Sequence, residues 1–319
     1  MRFIEITRPT GAVKTETLNI TVSASTKAGA LAGCLQLVYG CWRLAAGWAK
    51  MERSAGRAWD AYDMVDLHCH ILPGLDDGPK AMEESVEMAE AAIAEGITHL
   101  VATPHSSAEF FFDYPKVRAL CKELQAKVGK RLTLATGCDF HLNPENVEML
   151  RAHSLRFCVN QKDYLLVEFN EVAIPPGVDQ TLHEMQLAGV RLIVTHPERN
   201  RLLRAKPERL AAWVRHGCYG QVTGGAVTGR FGSSAQNDAM RWIGAGLIHF
   251  VSSDAHNTSS RPIQLRAAYE VVEKEFGKEK ARALFVDNPR AAFEGRDLPH
   301  VPELADERVQ QRRKRFLFF

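Results

Sequence analysis

The sequence predicts an α/β fold: a single domain in which about seven parallel strands close, or nearly close, into a barrel. Three observations carry this. From Met64 onward, short β-branched or apolar runs alternate with amphipathic stretches, the rhythm of repeated βα units around a parallel sheet. Gly96, Gly129, Gly189, Gly217 and Gly246 stand where the amphipathic stretches should stop, as helix C-caps. The residues with the strongest chemistry fall at the C-terminal ends of the expected strands, the face on which parallel barrels build their sites. The first two would serve an open doubly wound sheet equally well; the third decides for the barrel.

Taken in order, the first strand is expected at 64–68, followed by a helix at 81–95 that Gly96 ends. A strand at 97–103 leads to a helix at 115–128, and a third strand is expected at 132–136. Strands at 164–169, 191–195, 219–223 and 248–252 complete the seven. Between them the amphipathic runs 179–188, 207–215 and 234–245 read as helices, and two more are expected at 262–276 and 278–284. This defines a domain over residues 64–295. Residues 1–63 are expected to be a poorly ordered N-terminal extension, and residues 296–319 a C-terminal tail whose end mixes basic residues with aromatics.

Composition narrows the function. The chain has 319 residues, 45% of them hydrophobic, enough for a sizeable core. With 40 basic against 38 acidic residues the formal net charge is +2, so nothing global marks a nucleic-acid partner or a membrane surface. Residues 28–48 are rich in Ala, Gly and Leu, but Gln36 and Arg43 interrupt a run already short of the roughly 20 apolar residues a span needs, so no stable membrane insertion is expected. The seven cysteines are odd in number and scattered, which suits a reducing, cytoplasmic location. None begins a C-x5-R loop, so thiolate phosphatase chemistry is excluded.

The constellation at the strand ends points to metal. The first strand ends in Asp66-Leu67-His68-Cys69-His70, and a period of two puts both histidines on one face, able to reach one ion. A turn follows with Asp76-Asp77-Gly78. The second strand ends in Thr103-Pro104-His105, the third runs into Gly137-Cys138-Asp139, and the fourth finishes with Glu168. The fifth ends in His196-Pro197-Glu198-Arg199, and the seventh in Asp254-Ala255-His256, with Arg261 beyond. Each piece alone has an ordinary explanation as a turn, a cap or an exposed histidine; a carboxylate on the apolar fourth strand is harder to explain, because burying it unpaired is costly. Six strands ending in a potential ligand make a divalent-metal site, and a mix of imidazole and carboxylate without thiolate suits Mn, Fe or Zn. Asp66 and Glu198 are expected to position ligands. His99 and His249, inside strands, are read as structural, and His141, near the site, has no assigned role.

On DLHCHILPGLDDG, ATPH, TGCDF, LLVEF, THPERN, SSDAHN and FVDNP, residues 64–292 resemble the PHP (polymerase and histidinol phosphatase) superfamily. The closest likeness is to the bacterial tyrosine phosphatases of capsule and exopolysaccharide gene clusters. The resemblance implies a distorted (β/α)7 PHP barrel with three divalent ions, manganese foremost. It implies His68, His70, Asp139 and Asp254 around the first, Asp139, Glu168 and His196 around the second, and Asp77, His105 and His256 around the third. It also implies Arg199 and Arg261 beside the phosphate, and as substrate a tyrosine-phosphorylated protein, a membrane-associated tyrosine kinase. The family usually carries Glu where this chain has Asp139, one methylene shorter.

Such ions would lower the pKa of bound water from about 15.7 toward about 7, giving a hydroxide that attacks phosphorus, and would clamp the reacting oxygens. Arg199 and Arg261 can bind the equatorial oxygens through planar bidentate hydrogen bonds. A phenol of pKa about 10 leaves readily, so little general acid is needed; Asp77 or a metal-bound water is the candidate for that role. The competing expectations are a histidinol-phosphate or other small-molecule phosphatase, and a metal-binding scaffold of little activity.

Overall fold

The computed structural model describes residues 4–7, 17–20 and 62–304. The chain divides into two units, Met1–Ala58 and Trp59–Phe319. In the first, β1 (Ile4–Thr7) pairs antiparallel with β2 (Thr17–Ile20). The other residues of 1–61, the apolar run at 28–48 among them, and the end of the tail lie outside the described residues. Among the described residues no helix is long and apolar enough to cross a membrane.

The second unit is built on parallel strands: β3 (Met64–Cys69), β4 (Ile97–Ala102), β5 (His105–Ser106), β6 (Thr133–Thr136), β7 (Asp139–His141), β8 (Tyr164–Glu168), β9 (Arg191–Thr195), β10 (Tyr219–Thr223) and β11 (Phe250–Ser252). β4 and β5 are two halves of one strand, broken at Thr103-Pro104, where proline has no N–H to give the ladder. β6 and β7 are likewise broken at Gly137-Cys138. The expected seven positions are therefore present in chain order, β3-β4-β6 in one ladder and β5-β7-β8-β9-β10-β11 in the other. The ring closes where Cys69 bridges Ala255, with His70 N–H donating to Ala255 O (2.9 Å) and Asp254 N–H to His68 O (2.8 Å). Its distortion has a definite place: β6 pairs with β4 alone, and a 3-10 turn, Val159–Gln161, stands between it and β8, Gln161 Nε2 donating to Thr136 O (3.1 Å).

Inside the ring, Val65, Leu67, Val101, Ala135, Tyr164, Leu166, Ile193 and Phe250 form one buried cluster, closed off at one end by Ala291, Ala292 and Phe293 of the helix Asn288–Glu294. On β8 the alternation that points Tyr164 and Leu166 inward delivers Glu168 to the same interior. On β3 the same rule would fail, because Val65 and Leu67 are odd and the two histidines are even. A bulge resolves it: Asp66 pairs with Leu100 and Cys69 with Ala102, so three steps on β3 oppose two on β4. The extra residue switches the inward face, re-aiming His68 and His70 into the barrel, a common use of bulges beside sites.

The helices pack outside. Met82–Glu95 buries Ser85, Met88, Ala89 and Ala92, a stripe of helical spacing, and Gly96 ends it at φ 91°. Tyr114–Val128 is capped by Asp113, whose carboxylate accepts from Lys116 N–H (3.2 Å). The sequence reading lacks the helix Pro144–Phe157, which Asn143 caps and which departs from helical geometry at His153. It also lacks the short helices Arg201–Ala205, Gly224–Val227 and Asn288–Glu294. Residues 296–304, assigned to the tail, lie against the domain: Asn288 Nδ2 donates to His300 O (2.7 Å) and its Oδ1 accepts from His300 N–H (3.1 Å).

Candidate metal centre

The bulge, the two broken strands and the strand ends bring every expected metal donor, with Arg199 and Arg261, to one rim. His68 Nε2 lies 3.4 Å from Asp139 Oδ2, 3.4 Å from Asp254 Oδ1 and 3.2 Å from His70 Nε2. His70 Nε2 is also 3.4 Å from Asp254 Oδ1. His196 Nε2 faces Glu168 Oε1 at 3.3 Å, and donor atoms of His68, Asp139 and His196 lie within 4.8 Å of one another. The third group is also assembled: Asp77 Oδ1 is 3.2 Å from His256 Nε2 and 3.6 Å from His105 Nε2, with His70 beside them. His105 belongs to two groups, because its Nδ1 faces Asp139 Oδ2 at 3.2 Å and Glu168 Oε2 at 3.3 Å.

These contacts fit cations rather than hydrogen bonds. Both oxygens of Asp139, Glu168 Oε2, His105 Nδ1 and His256 Nε2 are buried without a hydrogen-bond partner, although an unpaired buried polar group is costly. Atoms held about 2.1 Å from one ion lie about 3.4 Å apart in a tetrahedral set, the separation found here. Two of the donors sit on strained backbone, His196 at φ 30° and Asp254 at φ 51°, left-handed conformations that non-glycine residues seldom adopt. Neighbours hold them there: Arg199 N–H donates to His196 O (2.9 Å), and Asp254 N–H is fixed on β3.

Electrostatics divides the groups. Burial and the Arg199 charge bring His196 down to about 4, and burial with the charge of His70 does the same to His256. His70 is raised to about 9: burial and His105 oppose its charge, but Asp76 and Asp254 outweigh them. Asp254 stays well below the usual carboxylate range; burial opposes this, and His68, His70 and Arg261 prevail. Arg199 Nη1 and Arg261 Nη2 both donate to Asp254 Oδ2 at 2.7 Å, and Arg261 Nη1 is 3.7 Å from Asp77 Oδ2. Two guanidiniums thus border the donor cluster. The ring of Phe231 packs 5.4 Å from the Arg199 guanidinium.

Three supporting residues were not assigned from sequence. Asp76, the first acid of the turn, turns its carboxylate toward the centre: its Oδ2 pairs with His70 Nδ1 (2.8 Å) and accepts from His105 N–H (3.1 Å), while Oδ1 accepts from Gly78 N–H (2.9 Å). Gly78 is required there, since a Cβ would sit 2.5 Å from His70 O. Gln221 Nε2 lies 3.3 Å from His68 Nδ1, and His141 Nε2 contacts Glu168 Oε2. A period of two from Asp139 and from Tyr219 would have pointed to His141 and Gln221. The role expected of Asp66 changes: it touches no imidazole ring, and instead accepts from Ser253 N–H (3.0 Å), Ser253 Oγ (2.5 Å) and His68 N–H (3.3 Å), tying β3 to the turn after β11. Glu198 accepts from Thr223 N–H and Oγ1 (2.9 Å each), bracing the end of β10.

A closed parallel barrel whose rim gathers imidazoles and carboxylates with unpaired donor atoms defines a class, the metal-dependent barrel hydrolases. Within it, residues 64–294 match the family described as capsular polysaccharide synthesis, CpsB/CapC, and the chain belongs to that family. It is similar to the tyrosine-protein phosphatase YwqE of Bacillus subtilis, 37% identical over 220 residues, covering 68% of this chain and 86% of that one. It is also similar to the tyrosine-protein phosphatase CpsB of Streptococcus pneumoniae, 29% identical over 237 residues, covering 71% of this chain and 97% of the other. A crystal structure from work on YwqE and CpsB, described as metal-dependent tyrosine phosphatases, superposes with a TM-score of 0.70 at 33% identity, covering 76% of this chain and all of that one.

Proposed function

We propose that this chain is a metal-dependent protein-tyrosine phosphatase, its phosphoesterase domain spanning residues 64–295. The observation that carries the reading is the cluster of buried donor atoms without hydrogen-bond partners, bordered by two arginines that meet on Asp254. The similar YwqE and CpsB, both named tyrosine-protein phosphatases, support the substrate class. His68, His70, Asp139 and Asp254 would hold one ion, Asp139, Glu168 and His196 a second, and Asp77, His105 and His256 a third, with manganese first among Mn, Fe and Zn. Bound ions would neutralise the phosphate oxygens and activate water near neutral pH.

The chain's own groups do the rest. Arg199 and Arg261 orient the phosphate and hold its equatorial charge as the ester bond breaks. Asp77 sits half-exposed beside His256 and Arg261, and its pairing with His256 holds it well below the usual carboxylate range. It would act as a carboxylate and leave protonation of the departing phenolate oxygen, which at a pKa of about 10 demands little acid, to a bound water. Asp76 and Gln221 fix the rings of His70 and His68. The substrate in the cell would be a tyrosine-phosphorylated protein, a membrane-associated kinase met from the cytoplasmic side. The test is hydrolysis of a tyrosine-phosphorylated peptide against histidinol phosphate by metal-stripped protein resupplied with manganese, with His196→Ala as control. Manganese-dependent turnover that prefers the peptide and is lost in the variant supports the reading. Preference for histidinol phosphate moves the chain to small-molecule chemistry, and turnover of neither favours a scaffold or a different substrate.

A further inference from the structure

The strand that carries Asp139 holds a second donor. Asp139 and His141 are the two ends of β7 and share a face. The register sets His105 of β5 opposite Asp139, and His141 opposite Glu168 of β8. Three neighbouring strands thus present His105, Asp139, His141 and Glu168 together, with donor atoms all within 4.8 Å of one another. Glu168 Oε2 is the focus: buried and without a hydrogen bond, it meets His141 Nε2 on one side and His105 Nδ1, 3.3 Å away, on the other. The two imidazoles stand edge to face at 5.3 Å between centroids.

The position of His141 is built rather than incidental. Asn146 Nδ2 donates to His141 O (2.8 Å) and to Ser106 O (2.7 Å), and its Oδ1 accepts from Ser106 Oγ (3.0 Å). One buried amide therefore clamps the ends of β5 and β7, the strands carrying His105 and His141.

We propose that His141 is an additional ligand of the ion held between Asp139 and Glu168, supplying a nitrogen donor beside the two carboxylates. This rests on the metal-dependent reading above. The alternative is a histidine that only hydrogen-bonds Glu168.

The test is cobalt titration of the metal-stripped full chain, wild type against His141→Ala and His141→Gln, read by calorimetry, metal content and the visible d–d absorption of bound Co(II). A glutamine can still donate to Glu168 but is a poor ligand for this ion. Loss of one binding class by about 10- to 100-fold in both variants, with a changed cobalt spectrum, is the expected result. Wild-type stoichiometry, affinity and spectrum in His141→Ala, or their recovery in His141→Gln, would overturn the assignment. A wild-type chain that binds no cobalt would instead remove the metal reading itself.

Discussion

The carboxylate of Asp76 lies 2.8 Å from His70 Nδ1, on the far side of the ring from the nitrogen that faces His68 and Asp254. The pair fixes the ring's orientation and leaves Nε2 free to act as a donor, the arrangement by which carboxylates tune metal-bound histidines. Asp76→Asn, which keeps the shape and loses the charge, is expected to weaken metal binding about 10- to 100-fold by calorimetry with little change in fold. Gly78→Ala reaches the same pair by steric means, since its Cβ would press on His70 O and on Asp76 Oδ1 at 3.0 Å. Affinity unchanged in both would show that the turn does not orient the ligand.

Arg199 and Arg261 converge on a single oxygen, Asp254 Oδ2. Both also present further N–H groups that a phosphate could use, so each is expected to act on turnover. Arg261→Ala should lower kcat/KM for a phosphotyrosyl peptide about 100-fold or more, and Arg261→Lys should recover part of it, because lysine keeps the charge and loses the planar fork. The double variant at 199 and 261 should lose less than the product of the two single losses, since the groups share one partner. Full activity in Arg261→Ala would reduce that residue to a brace for Asp254.

The seven strand positions and nearly every donor were legible in the sequence because both rest on local pattern: strand alternation, glycine stops, and ligands written at strand ends. What was not legible rests on pairing. The bulge at 66–69 exists only relative to β4, so the sequence alone places His68 and His70 on one face without saying which. Asp76 was passed over because Asp76-Asp77-Gly78 reads as a turn, and only the fold shows that one acid faces His70 while the other faces His256. The helix Pro144–Phe157 escaped because its polar run and its break at His153 blur the apolar period. Across the breaks in β4–β5 and β6–β7 the second and third strand positions stay paired, while the second gives up its pairing with the first and the third takes up pairing with the fourth, which no local pattern shows.

Removing divalent ions should destabilise the chain. Without them the barrel encloses Asp139 and Glu168 with both oxygens of the first and one of the second unpaired, and a ligand bound only by the folded state adds about 2.7 kcal/mol of stability at 100-fold its Kd. The chelator-treated protein should melt several degrees lower, and manganese should restore the melting temperature in a concentration-dependent way. Identical calorimetric melting with and without ions would exclude coupling between this cluster and folding.

The last expectation concerns a histidine with no part in the centre. His249 is buried at the start of the seventh strand position, its Nδ1 accepting from Gly220 N–H (3.2 Å) and its ring packed edge to face on Tyr219 at 5.0 Å. Burial first, with the Lys280 charge adding to it, lowers its pKa from 6.5 to about 4, so the folded chain holds it neutral where the unfolded chain would protonate it. Between those values the unfolded state binds the extra proton, and stability therefore falls as pH falls. The contribution is fully present above about 6.5, declines through the interval, and has lost on the order of 3 kcal/mol by pH 4. His249→Asn keeps an acceptor for Gly220 and cannot titrate. Urea unfolding of metal-stripped wild type and variant at pH 8 and pH 4.5 isolates the term, since the carboxylates titrate equally in both. The variant, less stable at pH 8 from lost packing, should close most of that gap at pH 4.5; a gap of constant size would mean that the ring is protonated in the folded barrel as readily as in the open chain.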